Sequence, residues 1–335
     1  MAKMDLIIPS YKDKKGLYET LFSIGLDKDI YVTIVDDCSG EKYDDIISWF
    51  NQFFPIQVLY MSKNGGPGAA RQYGLNNTFN PLVVFIDCGD VFASPQIITD
   101  MINEMENNPE LQVISYAHQE DRGNYLDYCP PGHNRMHGKI YRRSFLKTYN
   151  ISFNKDAARA NEDIGFNMNC RLICDHLLEE QGIACYGHNE NVGVIWKGNA
   201  NSITRKNDCA FYYKEQNMGL AKNTLYALKN AKQNGVNENI INYLGYDVFA
   251  SLYTFYLSTL NRRPEFVEEA LEGALFYYKN YFGKQEKIDM ELLRHVYYDN
   301  LAHLLSDESD PIRDKIIPIN IMDFIDLLQQ RMEDK

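Results

Sequence analysis

Over its first 120 residues the sequence switches repeatedly between short apolar runs and longer helix-compatible stretches. MDLIIP (4–9), DIYVTIVDD (29–37), IQVLYM (56–61), PLVVFID (81–87) and LQVISY (111–116) are rich in apolar and β-branched residues, as strands covered on both faces must be. Between them, residues 15–25, 43–53, 68–76 and 95–107 carry helix signals, the last with a proline in its first turn. Strand and helix alternating in this order predict an α/β domain built on a doubly wound, mostly parallel sheet.

The pattern changes twice further on. Residues 118–204 are less regular: a Gly/Pro-rich loop, YCPPGHNRMHG, leads into a strand-to-helix step, KIYRRSFLKTY, and the acidic NEDIGFN opens another helix. From about residue 207 the sequence is helical in period, with segments expected at 211–233, 236–261, 264–282, 287–305 and 318–332. The expected organisation is a catalytic domain over 1–206 and an α-helical domain over 207–335. YDVFASLYTFYLSTL (246–260) and ALFYYKNYF (274–282) hold more aromatic residues than one helix face needs. Core packing is the default explanation; a homo-oligomer contact or part of an acceptor groove are the others.

Charge and cysteine content narrow the class. A net charge of −12 repels phosphate backbones, which disfavours nucleic acid as a partner unless positive charge is concentrated locally. YRRSFLK, with Arg142, Arg143 and Lys147, is the candidate strip for that, and a solvated helix face explains it equally well. Seven cysteines with no CxxC pair fit a reduced, cytoplasmic protein. The opening MAKMDLIIPSYKD has too few apolar positions for a secretory leader, and no stretch is long and apolar enough to span a bilayer.

In a doubly wound sheet, ligands lie beyond the carboxyl ends of the strands. Polar residues follow four runs in succession: Ser10 and Tyr11, Asp36 and Asp37, Asn64 to Gly68, then Asp87 and Asp90. Two carboxylates closing a hydrophobic run make either an acidic turn or a place where a cation is held.

Six phrases, IIPSYKD, IVDDCSG, KNGGPGAARQYGL, FIDCGD, HGKIYRRSFL and NEDIGF, stand in an order and spacing that resembles the GT-A glycosyltransferases of family 2, over about residues 4–205. The resemblance implies a GT-A fold, a UDP-sugar donor, Mn2+ or Mg2+ as cofactor, and transfer with inversion to an acceptor nucleophile. It implies Asp87 and Asp90 as metal ligands, although the family's D-x-D is stretched here to D-C-G-D and the direct ligand is left open. Asp36 and Asp37 resemble the nucleobase-contacting pair, with capping of the next helix as the alternative for Asp37. Pro9 and Tyr11 would frame the base; Asn64, Gly66 and Arg71 would approach base, ribose or phosphate. By the same resemblance Asp163 is the general base that takes the acceptor's proton, with Glu162 orienting the acceptor or holding the loop. His137 falls in the segment near the donor sugar, and Lys197 or Arg205 would stand in for the diphosphate-covering arginine expected near Asn199. His188 is an alternative metal or phosphate contact.

The acceptor is expected to be a glycan, of surface-polysaccharide or teichoic-acid type. Sugar transfer to modified nucleic-acid bases or to protein by a virus-encoded enzyme is the first alternative. A nucleotidyltransferase, or a nucleotide-binding protein without catalysis, is the second.

Overall fold

The computed structural model describes residues 2–26, 29–132, 134–198, 210–285, 287–306 and 316–333. The chain divides into two compact units, residues 1–205 and 206–335.

In the first unit the strands are β1 (Met4–Ser10), β2 (Ile30–Asp36), β3 (Ile56–Tyr60), β4 (Leu82–Phe85), β5 (Val91–Phe92), β6 (Val113–Asp121), β7 (Leu126–Cys129), β8 (Lys139–Arg142) and β9 (Tyr186–Trp196). The helices are α1 (Lys14–Ser23), α2 (Asp44–Phe50), α3 (Pro67–Asn76), α4 (Gln96–Asn107), α5 (Arg143–Thr148) and α6 (Glu162–Gln181). All five apolar runs form strands and all four intervening segments form helices. The strands order as β3-β2-β1-β4-β8-β6-β9-β5, with β7 paired to β6.

The sheet is parallel from β3 through β4. β8 then enters antiparallel, pairing Val83 with Tyr141 on one side and Val113 with Tyr141 on the other. Two antiparallel steps restore direction, so β6 runs the same way as β4, and β9 runs parallel to β6. The carboxyl ends of β1, β2, β4, β6 and β9 therefore open on one edge.

Side-chain alternation sorts the two faces. Met4, Leu6 and Ile8 pack with Leu17, Leu21, Phe50, Ile98 and Met101 beneath α1, α2 and α4. On the opposite face Phe85 meets Tyr141 and Phe166, and Phe166 stacks on Phe153 at 4.3 Å, which seats α6 under the sheet edge.

YRRSFLK does not form a basic strip. Arg143 is buried and donates to Asp5 at 2.7 Å and to the carbonyls of Asn80 and Leu75, while Arg142 donates to the carbonyls of Leu111 and Met105. Both guanidinium groups serve as internal clamps, because a planar fork of donors satisfies several carbonyls at once.

The second unit contains α7 (Ala210–Gln233), α8 (Glu238–Arg262), α9 (Val267–Tyr281), α10 (Met290–Ser306) and α11 (Ile321–Glu333). Its aromatic surplus forms its own core: Phe249 and Phe282 at 4.8 Å, Tyr246 and Phe282 at 4.9 Å, and Tyr256 and Phe324 at 5.1 Å are buried pairs. No helix among the described residues is long and apolar enough to cross a membrane.

Candidate active site

The chain leaves β4 through Ile86 and turns at Asp87-Cys88-Gly89-Asp90, closed by the Asp90 N–H donating to the Asp87 carbonyl at 3.0 Å. Gly89 sits at φ +100°, the conformation the third position of a type II turn demands and that glycine adopts without cost. This turn absorbs the extra residue between the two acids. Asp87, Asp90 and His137, which precedes β8, each offer one ligand atom, and the three atoms lie within 4.8 Å of one another.

The three are held differently. Asp90 is 3% exposed; its Oδ1 accepts from the Lys197 N–H at 3.0 Å, and its Oδ2 lies 3.5 Å from His137 Nε2. Asp90 Oδ2 and His137 Nδ1 are buried without a hydrogen-bond partner among the described residues. Burial pushes the Asp90 carboxyl above the usual range, against the opposing pull of His137. A buried carboxylate with an unanswered oxygen is costly unless something binds there.

Asp87 is answered by Arg71. The guanidinium of Arg71, on α3 and 2% exposed, donates to Asp87 Oδ1 through one nitrogen and to Glu162 Oε1 at 2.7 Å through the other. One cation between two carboxylates cannot fully satisfy both. Burial works to raise Asp87, but Arg71, helped by His137, outweighs it and holds the group low. At the more enclosed Glu162 burial wins over Arg71, and the carboxyl is pushed up to about 7. Arg71 does not reach outward from this position; it ties the end of β4 to the first turn of α6.

Glu162 and Asp163 are neighbours on α6 and diverge, as adjacent helical positions must. Glu162 turns inward to Arg71. Asp163 is partly exposed, and its Oδ2 accepts from the Met136 N–H at 3.3 Å, one residue before His137.

The end of β2 is built otherwise. Asp36 accepts from Tyr43 Oη at 2.8 Å, from the Ser39 hydroxyl and from the Ser39 N–H at 3.1 Å. Asp37 accepts from the N–H groups of Gly65 at 2.6 Å and Gly66 at 2.8 Å. Asp37 does not cap α2, whose N-cap is Tyr43; it anchors the glycine loop instead. Asn64 donates to the Asp37 carbonyl at 3.2 Å and accepts from Arg159 at 2.6 Å. Gly66, at φ +89°, is required by a protein contact, since a Cβ there would lie 2.7 Å from the Ala158 carbonyl oxygen. Close approach to the 158–162 segment is by itself enough to require a glycine here.

Pro9 is buried in β1, and Tyr11 is 47% exposed just beyond it on the shared edge. Lys197 contributes its backbone to Asp90, while its side chain is 43% exposed, with Nζ 3.9 Å from Glu19. His188 stands apart, packed against Tyr186 at 5.2 Å and lining a cavity of about 550 Å3 with Cys174, Cys185 and Pro131. Asn199 and Arg205 lie outside the described residues. Motif spacing marks neither the approach of His137 to the acid pair nor His118 beside it, the two imidazole centroids 5.1 Å apart. His118-x-Glu120 at a strand end was the available signal.

Residues 5–162 match the family described as Glycosyl transferase family 2. An uncharacterized glycosyltransferase of Rickettsia felis is 28% identical over 133 residues, 39% of this chain and 22% of that protein. The poly(ribitol-phosphate) beta-N-acetylglucosaminyltransferase TarS of Staphylococcus aureus is 23% identical over 244 residues, 68% of this chain and 38% of its own length. The matches thus span about a fifth to two fifths of these relatives. In fold, the S. aureus TarS structure with UDP-GlcNAc aligns with a TM-score of 0.57 at 17% identity, covering 89% of this chain and 80% of that one. The Pyrobaculum calidifontis mannosyltransferase PcManGT, solved with GDP-Man and Mn2+, aligns with a TM-score of 0.52 at 14% identity, covering 91% and 88%. These likenesses establish a GT-A fold.

Proposed function

We propose, from the match of residues 5–162 to glycosyl transferase family 2, that this chain is an inverting, metal-dependent transferase that moves a sugar from a UDP-sugar to an acceptor hydroxyl. The observation that carries the proposal is the convergence of Asp87, Asp90 and His137 at the end of β4, with buried atoms of Asp90 and His137 left without hydrogen bonds. Two carboxylates and an imidazole suit a divalent ion of the Mn2+ type better than Mg2+, which prefers an all-oxygen shell. Such an ion, when bound, offsets the negative charge that grows on a departing nucleoside diphosphate.

The rest is the work of the chain's own residues. Asp163 takes the acceptor's proton, and the Met136 N–H fixes one of its carboxylate oxygens. Glu162 is the poorer candidate because it is buried and bound to Arg71. Arg71 and Glu162 hold the turn carrying Asp87 and the helix carrying Asp163 in one register, so that attack and departure are aligned. Tyr11 and Pro9 frame the base, and the Asp36–Asp37 pair with Asn64 and Gly66 shapes the wall beside it. Lys197 covers the diphosphate.

For the acceptor we propose a glycan of teichoic-acid type, supported by the TarS relationship. The test is a panel of nucleotide-sugars assayed for UDP release, with and without Mn2+ and polyol-phosphate acceptors, followed by NMR of the product's anomeric configuration. Mn2+-dependent UDP release with inversion is expected. Pyrophosphate release, or retention at the anomeric carbon, would overturn the assignment.

A further inference from the structure

Beside the trio at the end of β4 lies a second group that the transfer reaction does not use. His118 and Glu120 occupy alternate positions of β6 and so share one face; Cys129 on β7 is the cross-strand partner of His118. One ligand atom from each of His118, Glu120 and Cys129 lies within 4.8 Å of the others. His118 and Glu120 are 3% and 4% exposed, and Cys129 is partly exposed, which gives an ion a way in.

From this arrangement the geometry points to a second metal site, formed by His118, Glu120 and Cys129 and suited to a thiophilic ion such as Zn2+. The donor set carries the choice. Thiolate and imidazole select zinc-like ions over Mg2+ and Mn2+, and three protein donors leave a fourth position open. In a tetrahedral shell neighbouring donors stand about 3.3–3.7 Å apart; His118 Nε2 and Glu120 Oε1 are already 3.9 Å apart, and the remaining pairs need to draw in by at most about 1.5 Å.

Glu120 also accepts from Arg135 at 2.6 Å on Oε1 and from Arg122 on Oε2. Each carboxylate oxygen accepts more than one bond, and hydrogen bonds of this kind commonly orient a ligating carboxylate. They also offset the charge of Glu120, which makes the site less attractive to a hard ion that depends on carboxylates. Burial, then Glu120, pushes the Cys129 thiol up, so binding exchanges its proton for the ion. Because the rings of His118 and His137 adjoin at 5.1 Å, an ion here places positive charge next to the first group and weakens Mn2+ binding there.

Titration of metal-free protein with Co2+, followed by displacement with Zn2+, tests this. We expect a thiolate-to-cobalt charge-transfer absorption that Zn2+ abolishes, that persists in Asp90→Asn and that is lost in Cys129→Ser, with Zn2+ affinity at least about tenfold weaker in His118→Ala. No such absorption in the wild-type protein, or its survival in Cys129→Ser, overturns the site. Should Cys129→Ser fail to fold, alkylation of the wild-type protein with and without Zn2+, read by peptide mass spectrometry, decides it: protection of Cys129 supports the site and equal labelling refutes it. The outcome is independent of the transfer reaction, since loss of activity in Asp90→Asn leaves the thiolate signal untouched.

Discussion

Two acidic strand ends lie on the same edge of the sheet, and they are finished in opposite ways. At the end of β2, Asp36 and Asp37 are buried and their carboxylates receive hydrogen bonds from Ser39, Tyr43, Gly65 and Gly66. At the end of β4, Asp90 is equally buried but keeps an oxygen without a hydrogen bond, close to a histidine in the same condition. Buried acids alone therefore do not mark a metal site. What marks it is a buried donor atom that the fold leaves unanswered.

The largest effect is expected where the β4 end meets α6. Asp163→Asn should lower transfer by about 10²–10⁴-fold while UDP binding, followed by calorimetry, stays close to wild type; transfer at the normal rate would place the base elsewhere. Asp90→Asn sharpens the contrast itself. It should reduce Mn2+-dependent transfer by about 10²-fold yet keep metal-free stability within about 1 kcal/mol, because asparagine keeps an oxygen for the Lys197 N–H and removes a buried charge whose other oxygen has no hydrogen bond.

The matching change at the other strand end should do the reverse. Asp37→Ala leaves the N–H groups of Gly65 and Gly66 unpaired and should cost about 2–4 kcal/mol in urea unfolding, with Mn2+ affinity retained. If both variants behave alike, the two strand ends do not differ in kind.

The smallest effect concerns pH. Glu162 titrates near 7 when folded against an ordinary 4.5, so the folded protein holds that proton longer than the unfolded chain does. Its contribution to stability is complete below about 4.5 and is lost as pH rises towards about 7. Stability of the wild-type protein should decline across that window relative to Glu162→Gln, measured by denaturant melts at each pH; parallel curves would show that Glu162 ionises normally.

The sequence showed the first sheet strands plainly because strands covered on both faces have no room for polar residues, as in PLVVFID. It showed the helical unit for the corresponding reason, a helical period that recurs in segment after segment beyond about residue 207. The antiparallel entry of β8 between β4 and β6 was not legible, since KIYR is four residues long and pairing direction leaves no mark on composition. Nor were the inward turns of Arg71 and Arg143, because an arginine's partners are set by tertiary packing. Asp87 and Asp90 were legible as a pair, whereas the arrival of His137 depends on a segment about 50 residues away folding back, which spacing does not encode.

The proposed transfer reaction depends on a divalent ion held at the β4 end with His137. Electron paramagnetic resonance of Mn2+ titrated into the protein with UDP present addresses it directly. One stoichiometric site is expected in the wild-type protein, retained in Asp37→Ala and lost in Asp90→Asn; an Asp90→Asn protein that binds Mn2+ as tightly as wild type would rule out metal binding at this turn.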